Sequence, residues 1–179
     1  GRDVEALFFN GSAPKGAQID ITDFSPLRLE DTQDLAHCDP SCDAKLDAQL
    51  RTLLLDAAAP APPCSAILHA ILPSKVVNHT HSDAIMALSN TTNGESLMSE
   101  LFPDALVLPY VMPGPALTRQ VLDAVQSNDL SQVKGIILMH HGVLTFGDDA
   151  RTAYENMIEL ANRADEYIAS HAKDHIAPA

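Results

Sequence analysis

The twelve residues GIILMHHGVLTF, at positions 135–146, carry the strongest fold signal in the sequence. Two apolar runs of four residues stand on either side of His140, His141 and Gly142. Short aliphatic runs interrupted by a glycine predict a buried strand, a sharp reversal and a second strand. We expect the reversal at Gly142, which places two histidines at the end of a buried strand, where functional groups often lie.

The stretch VVNHTH, at positions 76–81, predicts another strand. Side chains two residues apart leave the same face of a strand, and their backbone positions are about 7 Å apart. His79 and His81 would therefore point the same way, at a spacing that lets two imidazoles converge on one ion. The same pair also fits two ordinary histidines near a strand end, so a third ligand is needed.

Either His140 or His141 can supply that third ligand, because adjacent residues of a strand point to opposite faces. The other is expected to be packed or hydrogen-bonded. Three imidazoles with one open position suit zinc, which takes nitrogen ligands at about 2.0–2.1 Å and keeps a site for water or substrate in catalytic centres. Nickel, cobalt and iron also accept histidine. The sequence thus predicts a divalent-metal centre, with zinc favoured.

The remaining sequence alternates between strand-like and helix-like segments, which indicates an α/β fold. Three prolines within residues 57–63 predict a loop, because proline fixes φ and has no amide donor. We expect strands at residues 6–9, 19–21 and 105–111, helices at residues 43–58, 65–72, 83–88 and 94–102, a further helix after Pro115 and a long last helix from Asp149.

Length and charge restrict the class of protein. The 179 residues fit one compact domain, and the formal net charge of −13, with 24 acidic against 11 basic residues, argues against nucleic acids and anionic membranes as partners. No apolar run approaches the roughly 20 residues of a membrane span, and the start does not resemble a signal peptide. We therefore expect a single domain over residues 1–179, soluble and cytoplasmic. Because the first residue is glycine in mid-pattern, we also expect that an N-terminal segment is missing.

The three cysteines are an odd number, which fits reduced thiols better than a disulfide framework. Cys38 and Cys42, with His37, form a second possible metal motif. No second ligand pair accompanies it, so we favour the histidines at 79, 81 and 140–141.

Three segments carry a resemblance to a known family: LHAILPSKVVNHTHSDA (68–84), YVMPG (110–114) and HHGVLTFGD (140–148). Over about residues 8–168, the sequence resembles the class II aldolase/adducin family. The resemblance implies an α/β fold with a central, mainly antiparallel β-sheet flanked by α-helices. It also favours His141 over His140 as the third zinc ligand beside His79 and His81. Together with DFSPLRLE (23–30), these segments are most similar to the aldolase domain of bifunctional rhamnulose-1-phosphate aldolase/short-chain dehydrogenase-like proteins.

The resemblance also implies an activity. Family aldolases cleave a small ketose, commonly a ketose 1-phosphate, through an enediolate that the metal stabilises. The partners implied are a small sugar or hydroxyketone and further copies of the chain, commonly in a homo-tetramer with sites at subunit boundaries.

The sequence departs from the family where the catalytic base is expected. That base is a glutamate in family aldolases and an aspartate in related epimerases, four residues before the histidine that matches His69, and here the position is Ser65. An unactivated serine cannot replace a carboxylate as a base at neutral pH. The serines that help hold the substrate phosphate match Pro63 and Cys64.

A second phosphate-contacting turn of the family matches Gly11 and Ser12, although Ala13 replaces the expected glycine. A phosphorylated substrate is thus only weakly indicated. Three functions remain open: a metal-dependent lyase of the aldolase type, which we favour; a catalytically silent, adducin-like assembly domain; and a sugar epimerase or decarboxylase with the same metal chemistry.

Overall fold

The structure, a computed structural model, describes residues 3–10, 19–37 and 43–171. The chain divides into two compact units. The first comprises residues 1–73 and 111–127, and the second comprises residues 74–110 and 128–179. That residues 1–179 form one domain stays a prediction.

The described residues form six strands and seven α-helices, joined by loops and short 3-10 turns. The strands are β1 (Ala6–Phe9), β2 (Ser25–Arg28), β3 (Val76–Thr80), β4 (Ala105–Leu108), β5 (Gly135–Leu138) and β6 (Gly142–Gly147). The helices are α1 (Leu29–Asp34), α2 (Asp43–Thr52), α3 (Ala66–Ile71), α4 (Asp83–Ser89), α5 (Gly94–Leu101), α6 (Pro115–Ser127) and α7 (Ala150–His171). Strands and helices alternate, so the α/β class expected from the sequence is confirmed. No described helix is both long and apolar enough to cross a bilayer.

The second unit contains a four-stranded sheet in the order β3-β6-β5-β4. β6 runs antiparallel to both β3 and β5, whereas β4 and β5 are parallel. The sheet is therefore mixed, and the expected mainly antiparallel character holds for two of its three pairings. A parallel pair needs a crossover of a dozen or more residues, and the connection from Leu108 to Gly135 provides that length.

Helix α7 packs against this sheet. Asp149 precedes the helix, and its Oδ1 accepts a hydrogen bond from the amide of Thr152 at 2.9 Å, as expected for an N-terminal cap. The apolar stripe predicted for this helix is buried at four positions: Ala153, Met157, Leu160 and Ala164. Met157, Leu160 and Ala164 share one core with buried residues of α4, α5, β5 and β6, so burial of apolar surface holds the sheet to its helices.

The first unit contains a two-stranded antiparallel sheet of β1 and β2, in which Phe9 is opposite Ser25. The prediction of a returning strand at residues 19–21 was wrong. Residues 21–23 form a 3-10 turn, in which the side chain of Asp20 accepts a hydrogen bond from the amide of Thr22. Pro26 lies in the strand that does return, as proline can in an edge strand.

Helix α2 ends at Thr52, earlier than the predicted residue 58. After the helix, the chain runs beside β2: the amide of Arg28 donates to the carbonyl of Leu53, and the amide of Leu55 donates to the carbonyl of Pro26. This pairing replaces the last turn of the predicted helix. The proline-rich segment at residues 57–63 has no regular structure, as predicted.

Candidate metal centre

Three histidine side chains meet in the second unit. The ring centroids are 5.1 Å apart for His79 and His81, 5.2 Å for His79 and His141, and 5.0 Å for His81 and His141. One possible ligand nitrogen from each ring lies within 4.8 Å of the other two. Nitrogens bound tetrahedrally to one zinc are about 3.3 Å apart, given bonds of about 2.0–2.1 Å. Small side-chain rotations would therefore bring all three to one ion.

The strand β3 supplies two of these rings. His79 pairs with Leu144 of β6, and Thr80 pairs with Val143. The hydroxyl of Thr80 donates to the sulfur of Met157 in α7 at 3.4 Å, so this residue faces the helix. Because neighbouring residues of a strand face opposite ways, His79 and His81 leave the other side. His81 comes directly after the last strand residue and is exposed, whereas His79 is half-buried.

The turn between β5 and β6 supplies the third ring. The amide of His141 donates to the carbonyl of Leu138 at 3.0 Å and closes the turn. The left-handed backbone conformation lies at His140, with φ of 59°, rather than at Gly142, where the sequence placed the reversal. As a result His140 and His141 face different neighbours, and only His141 joins the other two histidines.

Gly142 lets the two histidine-bearing segments approach each other. A Cβ atom at this position would lie 2.5 Å from the carbonyl oxygen of Thr80 and 2.9 Å from Cδ2 of His81. Both distances are too short for a real side chain. The glycine is therefore required for close contact between β6 and the end of β3, which determines the position of the His81 ring.

The local environment keeps His141 neutral. Burial, assisted by the nearby His81, lowers the pKa of His141 below the ordinary histidine value. Its Nδ1 is buried and has no hydrogen-bond partner among the described residues. A neutral imidazole keeps a lone pair for a metal, and a buried nitrogen without a partner is costly unless something binds it. The donor set therefore fits a divalent cation.

The other predicted site residues lie elsewhere. Ser65, in the first unit, precedes α3 and makes no side-chain capping hydrogen bond, although its carbonyl accepts from the amide of Leu68 at 3.1 Å. Cys64 is half-buried and is not in a disulfide. Neither residue belongs to the histidine cluster. Gly11 and Ser12, like Cys38 and Cys42, lie outside the described residues.

His69 contacts Phe9 edge to face, with ring centroids 4.8 Å apart. In the described part of the chain, the three histidines form the one group of three or more possible metal ligands that lie this close together. The structure thus brings together the three predicted metal ligands.

Two residues beside this centre were missed by the sequence reasoning. Ser89 and Asn90, at the end of α4, contact His140: the hydroxyl of Ser89 accepts from the His140 amide at 3.3 Å, and Oδ1 of Asn90 lies 2.6 Å from Nδ1 of His140. In the sequence, a serine and an asparagine at the end of a helix look like ordinary capping residues. Nothing in its spacing points to a residue 50 positions away.

Comparison with known proteins identifies the family of this chain. The family model for the class II aldolase and adducin N-terminal domain matches residues 27–168, which include all three histidines. A solved structure, the N-terminal class II aldolase domain of a conserved protein from Thermoplasma acidophilum, is 31% identical with a TM-score of 0.83. The alignment covers 92% of this chain and 76% of that one.

One further relative and one further solved structure extend the comparison. YuxG of Bacillus subtilis, an uncharacterised oxidoreductase, is 30% identical over 176 residues, which make up 98% of this chain and 25% of YuxG. This chain therefore spans about a quarter of that relative's length. The crystal structure of YgbL from Escherichia coli is 19% identical with a TM-score of 0.58 over 94% of this chain and 78% of that one, a likeness of fold alone. By its family-model match and its fold, this chain belongs to the class II aldolase and adducin N-terminal domain family.

Proposed function

We propose that this chain is a metal-dependent lyase domain of the aldolase type, which cleaves or forms a carbon–carbon bond in a small ketose or ketose phosphate. The observation that carries the proposal is the convergence of His79, His81 and His141, whose possible ligand nitrogens lie within 4.8 Å of one another. Membership of the aldolase family supports the reaction class. We favour zinc because three imidazoles with an open position suit it.

The three histidines would hold the ion and leave one side of it open to substrate. A divalent cation polarises a bound carbonyl and stabilises the negative charge that develops on oxygen when the carbon–carbon bond breaks. The chain contributes to this in two ways. The lowered pKa of His141 keeps its lone pair available at neutral pH. The exposure of His81 leaves part of the site open to solvent, from which a small molecule can enter.

Proton transfer is the step for which the sequence lacks the expected side chain. Ser65 stands at the position of the family's carboxylate, and a serine hydroxyl does not hold a negative charge at neutral pH. We therefore propose slow cleavage, with the charge-stabilising part of the catalysis present and the general base absent or supplied by a different group. Gly11, Ser12 and Cys64 remain the proposed substrate-binding residues.

A second function, a catalytically silent adducin-like assembly domain, is favoured by one observation, the serine at position 65. It is opposed by the complete histidine set, because a domain used only for assembly does not need three converging imidazoles. The epimerase or decarboxylase alternative rests on the same metal chemistry. The likeness of fold to YgbL, a candidate aldolase, epimerase or decarboxylase, does not distinguish these reactions.

We further propose that the chain acts in the cytoplasm as a homo-tetramer on a freely diffusing sugar or hydroxyketone. Tyr154 and Ile158 lie one turn apart on α7 and are 61% and 39% exposed. We propose this exposed apolar pair as part of the surface through which copies would associate. A relation to the aldolase domain of bifunctional aldolase/dehydrogenase proteins is also proposed, supported by the match to a quarter of an oxidoreductase.

The proposal can be tested by measuring metal content and then aldehyde release. The chain is loaded with zinc and offered ketose 1-phosphates and the same ketoses without phosphate. We expect about one ion per chain, as for a single three-histidine site, and slow aldehyde release that is lost in His81→Ala. Release that is absent in the metal-loaded wild type, or unchanged in His81→Ala, would contradict a metal-dependent lyase. A preference for the phosphorylated ketoses would indicate that the phosphate contacts are retained.

A further inference from the structure

The histidine before the third ligand is held in an unusual conformation. Among the described residues, His140 is the one non-glycine residue with positive φ, at 59°. Left-handed backbone is disfavoured for a residue with a Cβ and persists only where its surroundings enforce it. His140 is exposed, so packing in a core does not enforce it. The ring of His140 contacts Tyr110 edge to face at 5.8 Å, and the contacts that fix both its backbone and its ring are hydrogen bonds from the end of α4.

Those hydrogen bonds come from two consecutive residues. The amide of His140 donates to the hydroxyl of Ser89 at 3.3 Å, and the ring of His140 bonds to Asn90 at 2.6 Å. The side-chain nitrogen of Asn90 donates to the carbonyl of Met86 at 2.8 Å, which turns its oxygen toward His140. Since that oxygen can only accept, Nδ1–H of His140 is the donor. Backbone and ring of the same residue are thus both held.

The helix that provides these contacts also begins at the metal centre. α4 runs from Asp83 to Ser89 and starts two residues after His81. At its other end, Asn90 reaches His140, whose neighbour is His141. A single rigid helix of seven residues therefore links the segment that carries His81 to the turn that carries His141. This link is independent of the pairing between β3 and β6.

We propose that Asn90 and His140 are positioning residues for the metal centre. Their hydrogen bond holds the turn in the left-handed conformation that directs His141 toward His79 and His81, so that the three rings are gathered before any ion arrives. The inference deepens the proposed function and rests on it for the metal. The placement of the rings, however, can be observed without metal.

The test compares variants by two measurements. In the metal-free protein, NMR cross-peaks between the ring protons of His141 and those of His79 and His81 report ring placement. With metal, chelator competition reports zinc affinity, and the absorption spectrum of the cobalt-loaded protein reports the coordination geometry. Asn90→Ala should lose the cross-peaks, alter the cobalt spectrum and bind zinc about tenfold more weakly, the lower end of what loss of a supporting hydrogen bond costs a metal site.

Two matched variants separate positioning from general stability. Asn90→Asp keeps an acceptor for Nδ1–H and should restore the cross-peaks and the affinity. Asn156→Ala removes a comparable hydrogen bond, from the side-chain amide of Asn156 to the carbonyl of Phe146, near the other end of β6. It should change neither measurement. If Asn90→Ala does not fold, His140→Ala tests the same bond, because the ring contact is lost while the remaining Cβ still disfavours positive φ.

Ring cross-peaks that persist in Asn90→Ala or His140→Ala would overturn the positioning role, as would a lower melting temperature with unchanged zinc affinity and cobalt spectrum. A wild type that shows the cross-peaks but binds no zinc would instead refute the proposed function. In that case the NMR comparison alone decides whether the hydrogen bond positions His141.

Discussion

Two regions of the molecule differ in how much of the family's chemistry they retain. The histidine region, formed by the end of β3 and the turn before β6, brings His79, His81 and His141 together with ring centroids 5.0 to 5.2 Å apart. The segment before α3 carries Cys64 and Ser65, where the family resemblance implies a phosphate contact and a carboxylate. Its backbone is regular, with the amide of Leu68 bonded to the carbonyl of Ser65.

The difference shows that the fold can hold a position in place whether or not the side chain there carries the chemical group that the reaction needs. Strand pairing, the close approach that Gly142 allows and a tight turn together place the three histidines. Histidine is a common metal ligand, so this region keeps the side chains that metal binding requires. In the α3 segment the helix forms equally well with serine at position 65, because a helix start accepts serine without a penalty. Ion binding and proton transfer can therefore be altered independently.

The largest effect is expected for His81→Ala. Removing one of three nitrogen ligands should weaken zinc binding by more than about 100-fold, beyond the 10–100-fold typical for residues that only support ligands. Chelator competition measures this loss. His37→Ala, which removes an exposed histidine of the first unit, is the control and should bind zinc like the wild type. Equal affinity in the two variants would mean that the histidine region is not the metal site.

The next effect concerns the α3 segment. Ser65→Glu should raise the rate of aldehyde release by about 100-fold, since a positioned general base contributes about 10²–10⁴-fold. Zinc affinity should stay the same, because Ser65 is not part of the histidine cluster. Ser65→Gln, similar in size but without a charge, is the control. Equal rates in both variants would show that position 65 does not limit proton transfer.

Gly142→Ala tests the close approach of the two strands. The added methyl group would meet the Thr80 carbonyl and the His81 ring, so we expect a loss of about 2 kcal/mol in the free energy of unfolding and weaker zinc binding. Gly135→Ala is a matched control at the other end of the β5–β6 pair, where a Cβ would lie 2.6 Å from the carbonyl oxygen of Leu144. It should lose stability with less change in zinc affinity. Urea unfolding and chelator competition measure the two quantities.

The smallest effect is expected from an ion-pair network in the second unit. The guanidinium of Arg163, with further help from Lys134, holds the pKa of Asp104 well below its usual range. Because the folded-state pKa is the lower one, the ionised carboxylate stabilises the fold at neutral pH, and this contribution is lost as the pH falls below about 4. Lys134 also pairs with Glu159.

Asp104→Asn should therefore cost about 1 kcal/mol at pH 7, a value kept small because these side chains are partly exposed and solvent screens the pair. The difference from the wild type should shrink toward pH 3. Urea unfolding across this pH range measures it, and zinc affinity at pH 7 should not change. A difference that stays constant with pH would show that the carboxylate charge is not the cause.

Much of this architecture is predictable from local sequence patterns, and the exceptions have physical causes. The histidine pair and the strands at residues 76–80 and 135–147 follow from residue periodicity and short apolar runs. The strand Ser25–Arg28 was missed because a proline lowers strand propensity, although an edge position tolerates it. The parallel pairing of β4 with β5 depends on a crossover between distant segments, which periodicity does not report.

The candidate site shows the same limit at the level of single residues. That one of two adjacent histidines would face the ion follows from strand geometry, and the family pattern selects His141. The left-handed conformation of His140 does not follow from sequence, because it depends on hydrogen bonds to Ser89 and Asn90 about 50 residues earlier in the chain. The reversal was predicted at Gly142 because glycine is common in turns. Its actual role at position 142 is to make room for His81.

The most direct test of the central claim is a crystal structure of the zinc-loaded chain with anomalous diffraction at the zinc edge. We expect one strong anomalous peak per chain, with nitrogen atoms of His79, His81 and His141 at about 2.0–2.1 Å and His140 still bonded to Asn90. A peak that lies elsewhere, or one that involves His140 in place of His141, would contradict the central claim.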